Sequence, residues 1–426
     1  MPGSDVLSVT RAPVILFLAA LLVRLAALAY TVATARFPEF WEYEVIARNL
    51  LAGRGFLYPF MNVEHWAYVE PLYPFLVAAV YLLTGHSVIG LGVVQCLVSA
   101  LLAPVTFEFG RLAFGYGAGL AGAALVVIDP ALVGYATKLH PVTLDALLIA
   151  LVALALLKLI HRPGRRTSVL FGVATGGCVL TRPTILAFVL AALLWLGCRR
   201  DLRVATARAL IGLGIAAALI APWVARNYAV LGTFVLTRSH VGFGFWLGNH
   251  PRAAGGEGDP SDPEGNRSIF DSAPEDLRQR AMSQTNEIDQ DRIFQKEAIR
   301  YVGADPLGFV GRTITKLYYF WWFPPYFGKL YAHWHVAVYR GFYVLALAAA
   351  LVGMITARHG SGAGPPHGIR LAVLLMAAIS LAQAMFYVQG RHRLGVEALL
   401  MVFSGAGLDW LYGQRAPSRI ARLGSH

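Results

Sequence analysis

The chain has 426 residues, of which 57% are hydrophobic and 14% charged, with a mean hydropathy of +0.57. Soluble domains average about a quarter charged residues, so this composition argues against a soluble enzyme and for a polytopic membrane protein. The formal charge of +12 would suit a nucleic-acid binder, but lysine and arginine concentrated in the cytoplasmic loops of a membrane protein give the same excess.

Residues 13–35 are apolar except for Arg24 and exceed the ~20 residues that a bilayer core requires, so they read as the first span. Ala33-Thr34-Ala35 imitates a signal-peptidase site, yet the apolar run is longer than the ~7 to 15 residues of a signal sequence. Next comes Arg-Phe-Pro-Glu-Phe-Trp-Glu-Tyr-Glu from Arg36, with Gly53 as a stop. Pro38 suits a first helical position and Glu39, Glu42 and Glu44 complement the positive end of the dipole, which predicts a helix over about 38–52. On it Glu39, Glu42 and Tyr43 share a face, while Trp41, Val45, Ile46 and Leu50 offer an apolar surface to a bilayer. The helix can hold carboxylates at the membrane edge; three solvated glutamates on an exposed loop is the blander reading.

Residues 72–83 are too short for a comfortable span and read as a half-buried hairpin or interfacial helix. Further apolar segments are 88–109, 117–135, 142–159, 169–180, 185–196, 210–224, 337–355, 371–386 and 396–411, ten spans in all with a range of nine to twelve. With an internal N-terminus, Arg111, the 161–166 cluster, Arg199, Arg200, Arg203, Arg358 and the 415–422 tail share one side, the positive-inside pattern. The expected fold is therefore an all-α membrane protein divided at 1–225, 226–316 and 317–426, with the catalytic loop at 36–71. The middle segment is a small external helical lobe. Its 226–312 stretch carries twelve of the 24 acidic residues, and one long helix is expected over 274–302 with Ile288, Ile293, Phe294, Ala298 and Tyr301 as an apolar stripe. Cys96, Cys178 and Cys198 read as small core residues.

No P-loop, H-E-x-x-H, G-x-S-x-G or zinc-spaced cysteine pair occurs. What remains is a polar set gathered at the external face: Glu39, Glu42, Glu44, Glu64, His65, Glu70, Lys138, His140, Arg182, Arg226, Asn227, Asn249, His250, Arg391, His392 and Arg393. Acids and bases beside apolar helices suit a reaction in which a carboxylate takes a proton and arginines hold an anionic leaving group, for which a lipid phosphate is the natural candidate at that depth.

Five stretches in order carry a family resemblance: E-F-W-E-Y-E-V-I-A-R-N-L-L-A-G from Glu39, E-P-L-Y-P-F-L from Glu70, A-P-W-V-A-R-N-Y from Ala221, G-F-W-L-G-N-H-P from Gly244 and R-H-R-L-G-V-E-A-L from Arg391. They resemble the polytopic GT-C glycosyltransferases, the family of protein O-mannosyltransferases and of the aminoarabinose transferase of lipid A. Two departures stand out: Glu39 replaces the family's loop aspartate, and the second family carboxylate has no match in His140-Pro141-Val142-Thr143-Leu144, Asp145 being displaced by three positions.

The resemblance implies an inverting transfer from a polyprenyl-phosphate sugar outside the cytoplasmic (inner) membrane of a bacterial-type cell, to a glycan, lipid or protein acceptor, with no nucleic acid involved. It implies Glu39 and Glu42 as catalytic carboxylates and Arg391, Arg393, Lys138, Arg182 and Arg226 as donor-phosphate ligands. Tyr43, His140, Trp246 and Asn249 would line the substrate site. No cofactor and no metal-ligand set is expected, with a Mg²⁺ or Mn²⁺ held loosely by Glu39 and Glu42 left open. The competing class is a transporter or flippase for a lipid-linked or anionic substrate. Against it, intramembrane charges are few and no inverted repeat is evident.

Overall fold

The structure, a computed structural model, describes residues 3–34, 41–253, 255, 273–323, 333–359 and 367–423, with side chains described within 11–413. In chain order the helices are α1 (Gly3–Ala33), α2 (Glu42–Leu51), α3 (Leu72–Thr84), α4 (Val88–Ala100), α5 (Leu102–Phe114), α6 (Tyr116–Ile128), α7 (Pro130–Ala136), α8 (Val142–His161), α9 (Arg165–Val179), α10 (Ile185–Gly197) and α11 (Arg203–Leu231). Then follow α12 (Val241–Asn249), α13 (Glu275–Met282), α14 (Glu287–Ala304), α15 (Pro306–Trp321), α16 (His333–His359), α17 (His367–Ala384) and α18 (Gly390–Leu423). One hairpin, β1 (Tyr58–Phe60) and β2 (Val63–His65), lies between α2 and α3. Its turn places both Met61 and Asn62 at positive φ, 48° and 64°. A two-residue turn of that kind matches the twist of paired strands.

Seven of the described helical segments are long and apolar enough to cross a membrane. Helices α6 and α7 together make an eighth such segment, bent by 52°, while α10 is apolar but shorter and α9 packs on α8 and α11, against the ten spans expected. Asp129 and Pro130 cause the bend. Proline cannot supply the helical N–H, and Asp129 Oδ1 accepts from Ala131 N (2.9 Å) and Leu132 N (3.1 Å) instead. The carbonyls freed on the other side of the break are met by Arg24, whose guanidinium donates to Val127 O (2.6 Å), Val126 O (2.8 Å) and Ser99 Oγ (3.1 Å). The one cation of the first span thus faces the bundle interior, where every donor can find an acceptor.

Glycines permit a close crossing of α6 and α18. A β-carbon at Gly122 of α6 would stand 2.7 Å from Met401 O of α18, and Gly405 of α18 likewise abuts α6. At one end of the bundle Glu108 pairs with Arg111 (2.8 Å) and Lys158 (3.3 Å), near the 162–166 and 199–203 cations. Arg358 and the 415–422 tail lie outside the residues whose side chains are described.

The structure revises several expectations. Helix α2 begins at Glu42; Glu39 and Pro38 lie outside the described residues. Its buried face is Tyr43, Glu44, Ile46, Ala47 and Asn49, packed on α3, so Ile46 meets protein and not lipid. Glu44, one of the polar groups expected at the external face, is buried with Tyr81 Oη (2.9 Å) and Arg48 Nη2 (2.8 Å) on its Oε1. The single helix over 274–302 is two, because Asn286 caps a new start by accepting from Asp289 N (2.9 Å). At the expected edges of the lobe, 226 and 316, α11 runs on to Leu231 and α15 to Trp321. Cys198 is exposed, unlike Cys96 and Cys178.

Candidate functional site

Five connections converge at the end of the bundle away from the basic clusters. They are the stretch from Trp41 to Glu70, the turn 137–141, the turn 180–184, the segment 232–240 and the 385–389 connection leading into α18. Local hydrogen bonds register them. Leu72 N donates to Leu180 O (3.0 Å), which draws Glu70 beside the turn that carries Arg182. Tyr73 donates to Gln95, and Gln95 to the Lys138 carbonyl, which holds the turn that carries His140. Ser239 N donates to Ala67 O (2.8 Å) and Arg226 Nη1 to Trp66 O (2.6 Å), laying the segment with Arg238 against the one with Glu70. Helix α14 reinforces this: Glu287 Oε2 accepts from Ser239 Oγ (3.1 Å) and Ala67 N (3.3 Å), and Gln290 Oε1 meets His65 Nε2 (2.8 Å).

The result is a cluster of alternating charge. Arg238 Nε lies 3.4 Å from Glu70 Oε1, and Arg182 Nε 3.5 Å from Asp145 Oδ2 in the first turn of α8. Tyr43 meets His140 edge-on at 5.7 Å, Trp41 meets the same imidazole at 5.7 Å, and Arg391 lies 5.8 Å from the Trp41 ring. Tyr43 is within electrostatic reach of Glu42, Glu70, Arg182 and Arg391, and Arg238 of Glu70, Tyr387 and Tyr43. Tyr387 in turn packs on His392 at 5.4 Å.

Burial, with Glu42 and Glu70 adding to it, raises the Tyr43 phenol well above its usual range. Burial also drives His140 well below 6.5, helped by Arg391 and Arg182. His140 is therefore a neutral imidazole at pH 7. Its Nδ1 accepts from Val142 N (3.3 Å), which leaves the proton on Nε2, a neutral donor beside two arginines.

The expected site residues divide. Glu42, Tyr43, His140, Arg182 and Arg391 come together. Glu39 lies outside the described residues. Lys138 gives its carbonyl to Gln95, and its charge acts on His335 of α16. Arg226 pins Trp66 and lies 4.9 Å from the Trp223 ring. Arg393 is turned into the bundle, 3.8 Å from the Tyr343 ring with Nη2 donating to Tyr339 Oη (2.6 Å), and that hydroxyl donates to Glu397 (3.0 Å). Trp246 fills the lobe core with Phe243 and Phe294, and Asn249 is buried in backbone contacts. Sequence reasoning left Glu70 and His392 without roles and did not single out Arg238. Glu70 and His392 stand in quoted motifs, whereas Thr237-Arg238-Ser239-His240 carries no signal beyond an arginine in an external segment.

A cavity of about 370 Å³ adjoins Arg238, lined also by Thr233, Phe234, Thr237, Asp291 and Gln295. Among the described residues no three His, Cys, Asp or Glu side chains gather as a metal-binding group, and Glu70 and Asp145 each face an arginine.

Residues 69–225 match a family model described as dolichyl-phosphate-mannose-protein mannosyltransferase. The chain superposes on the Archaeoglobus fulgidus oligosaccharyltransferase solved with Zn and sulfate, with a TM-score of 0.53, 14% identity and coverage of 95% of this chain and 49% of that one. It does so equally on the archaeal oligosaccharyltransferase AglB of the same organism in complex with an inhibitory peptide and a dolichol-phosphate, at 0.53, 12%, 97% and 52%. The chain has the GT-C fold. It spans about half the length of the oligosaccharyltransferases it matches. ArnT from Cupriavidus metallidurans bound to undecaprenyl phosphate is also similar, at a TM-score of 0.42 and 15% identity over 92% of this chain and 77% of that one. No curated protein sequence matches. Within the GT-C fold, the family-model match ends just before Arg226, so it takes in Glu70, His140, Asp145 and Arg182 but not Glu42, Arg238 or Arg391.

Proposed function

We propose that the protein is a membrane glycosyltransferase that moves a sugar from a polyprenyl-phosphate carrier to an acceptor, with inversion. The observation that carries this reading is the convergence of Arg182, Arg238 and Arg391 with Glu42, Glu70, Tyr43 and His140 at one end of a GT-C bundle. Guanidinium groups grip phosphate oxygens in pairs, each charge-assisted contact contributing about 1.5 to 3 kcal/mol. A carrier lipid enters from the bilayer with its phosphate at the depth of these arginines. A lipid-linked donor also supplies activated sugar where the chain offers no nucleotide-binding loop.

In the reaction the acceptor oxygen forms a bond to the anomeric carbon as the bond from that carbon to the phosphate oxygen breaks. The acceptor proton passes to a carboxylate of the first loop, Glu42 or the neighbouring Glu39. Arg391 and Arg182 stabilise the negative charge on the departing polyprenyl phosphate, and the neutral His140 donates from Nε2. The cavity beside Arg238 is the route we assign to the acceptor. The basic clusters at the opposite end support an outward-facing site in a cytoplasmic membrane.

The test is release of free polyprenyl phosphate by the purified protein in detergent from a panel of lipid-linked sugars. Release with one donor and loss of it in Arg391→Ala supports the reading. No release from any donor, with undiminished binding of the lipids, would favour a transporter.

A further inference from the structure

The Gly248-Asn249 pair meets a lysine. Lys316 of α15 is fully buried, and its Nζ lies within hydrogen-bond distance of Gly248 O (3.1 Å), Asn249 Oδ1 (2.8 Å) and Phe386 O (2.8 Å). Asn249 Nδ2 extends the seat by donating to Phe245 O (2.8 Å) and Met385 O (2.9 Å). A β-carbon at Gly248 would collide with the Phe386 carbonyl, so only glycine allows this approach. Val388 N donates to Gly255 O (3.0 Å), and the Phe245 and Phe386 rings meet at 5.8 Å. The lobe thereby fastens the 385–389 connection, which is also the lead into α18. Gln389 N donates to His392 Nδ1 (3.1 Å) and His392 N to Gln389 O (2.9 Å), while Arg391 reaches over Trp41.

We propose that Lys316 is a positioning residue: seated on oxygens of both lobe and bundle, it sets the 385–389 connection and through it the placement of Arg391 and His392. The consequence for Arg391 rests on the reading of that residue as a donor-phosphate ligand; the seat itself does not.

The seat is unlike an ion pair. The charged side chain acting on Lys316 is Arg312 on the same helix, itself 3.5 Å from Asp305 at the α14–α15 junction. Among the described residues, the titratable groups next in sequence to its acceptors are His250, stacked on Trp246, and Tyr387 in the connection. Burial, with Arg312 adding to it, lowers the amine to about 7, whereas a lysine released to water titrates near ~10.4. The seated state binds fewer protons than the released one, so rising pH favours seating, by up to about tenfold per unit between the two values.

Hydrogen–deuterium exchange of the full chain in detergent, corrected for intrinsic rates, tests this in wild type and Lys316→Met, beside the affinity of each for undecaprenyl phosphate. In wild type, protection of the amides over 386–389 should rise above pH 7 by up to about tenfold per unit. In Lys316→Met at pH 8.5 it should be at least about tenfold lower and independent of pH, and the lipid phosphate should bind about tenfold more weakly, because stranded carbonyls release the connection. Equal protection and equal pH dependence in both proteins would overturn the seat. If the variant does not fold, Asn249→Ala, which removes one acceptor of the amine and the bond to Met385 O, should lower the same protection about tenfold, and unchanged protection there overturns the seat. Lost protection with unchanged affinity would overturn the link to Arg391. A wild type that binds no undecaprenyl phosphate would instead sink the donor reading, with the exchange data still deciding the seat.

Discussion

The Arg238 guanidinium stands 3.4 Å from the Glu70 carboxylate, and the two segments that carry them are tied by Ser239 N donating to Ala67 O. A membrane-edge loop and the external lobe therefore share one wall of the site. Truncating one member of such a pair strands the other, and with Arg238 29% exposed the cost of Glu70→Gln should be about 1 to 3 kcal/mol. Thermal unfolding in detergent should register this, and Arg238→Gln placed on Glu70→Gln should recover part of it. Independent, additive losses would show that the pair is not coupled.

Much of the bundle was legible because apolar runs of bilayer length and clustered cations are one-dimensional signals. The membrane-length helices and the short α3 follow from them, whereas the break at Asp129-Pro130 inside the expected 117–135 span does not. The site was legible only where a motif marks it: Glu42-Tyr43, His140 and Arg391 stand together, but Arg393, two residues from Arg391, turns the opposite way on the first turn of α18 and is spent on Tyr339. Helical rotation decides that, and the R-H-R string does not reveal it. The surroundings of Trp246 and Asn249 are equally hidden in the string. A glycine-asparagine pair beside a tryptophan resembles a substrate element, whereas the close approach of Phe386 makes it a packing element.

The carboxylates of the first loop can be separated by isosteric change. Glu42→Gln or Glu39→Gln should lower turnover by about two to four orders of magnitude if that residue takes the acceptor proton. The control is Glu64→Gln, on the exposed side of β2, which should leave turnover unchanged. Glu44 cannot serve as that control, since it holds Tyr81 and Arg48 inside α2–α3. Equal losses from Glu64 and both loop carboxylates would remove the assignment.

Orientation is testable by labelling. In a background with the exposed Cys198 replaced by serine, a cysteine at Ser283 should react with an impermeant thiol reagent in intact cells, and one at Gly164 should not. The reverse pattern would put the carboxylate and arginine cluster inside the cell, where nucleotide sugars compete as donors.

Asp291 gives a pH signature for the lobe. Its carboxylate accepts from Gly242 N (2.7 Å) and Phe243 N (2.8 Å), yet burial raises it to about 6 from a usual 3.8. A raised acid means that the native state binds more protons than the unfolded one between those values. Stability from this group therefore falls as pH rises from about 4 to 6 and is level above. Melting temperatures of wild type minus those of Asp291→Asn should decline over that interval; a flat difference would assign the shift elsewhere.

The two arginines of α18 should respond to substitution in opposite ways. Arg391 lies at the cluster beside Trp41 and His140, so Arg391→Lys, which keeps charge but loses the planar fork, should raise the donor KM by about tenfold and leave the melting temperature unchanged. Arg393 is buried against Tyr343, Tyr339 and Phe323 with Glu397 next to the same hydroxyl. Arg393→Ala removes the cation opposite a buried carboxylate and should cost about 3 to 5 kcal/mol of stability. At a temperature where the variant is still folded, its donor KM should match the wild type. Glu397→Gln combined with Arg393→Met should restore part of the lost stability, because both charges then leave the bundle together. A donor KM raised by Arg393→Ala but not by Arg391→Lys would reverse the assignment and place the lipid phosphate inside the bundle.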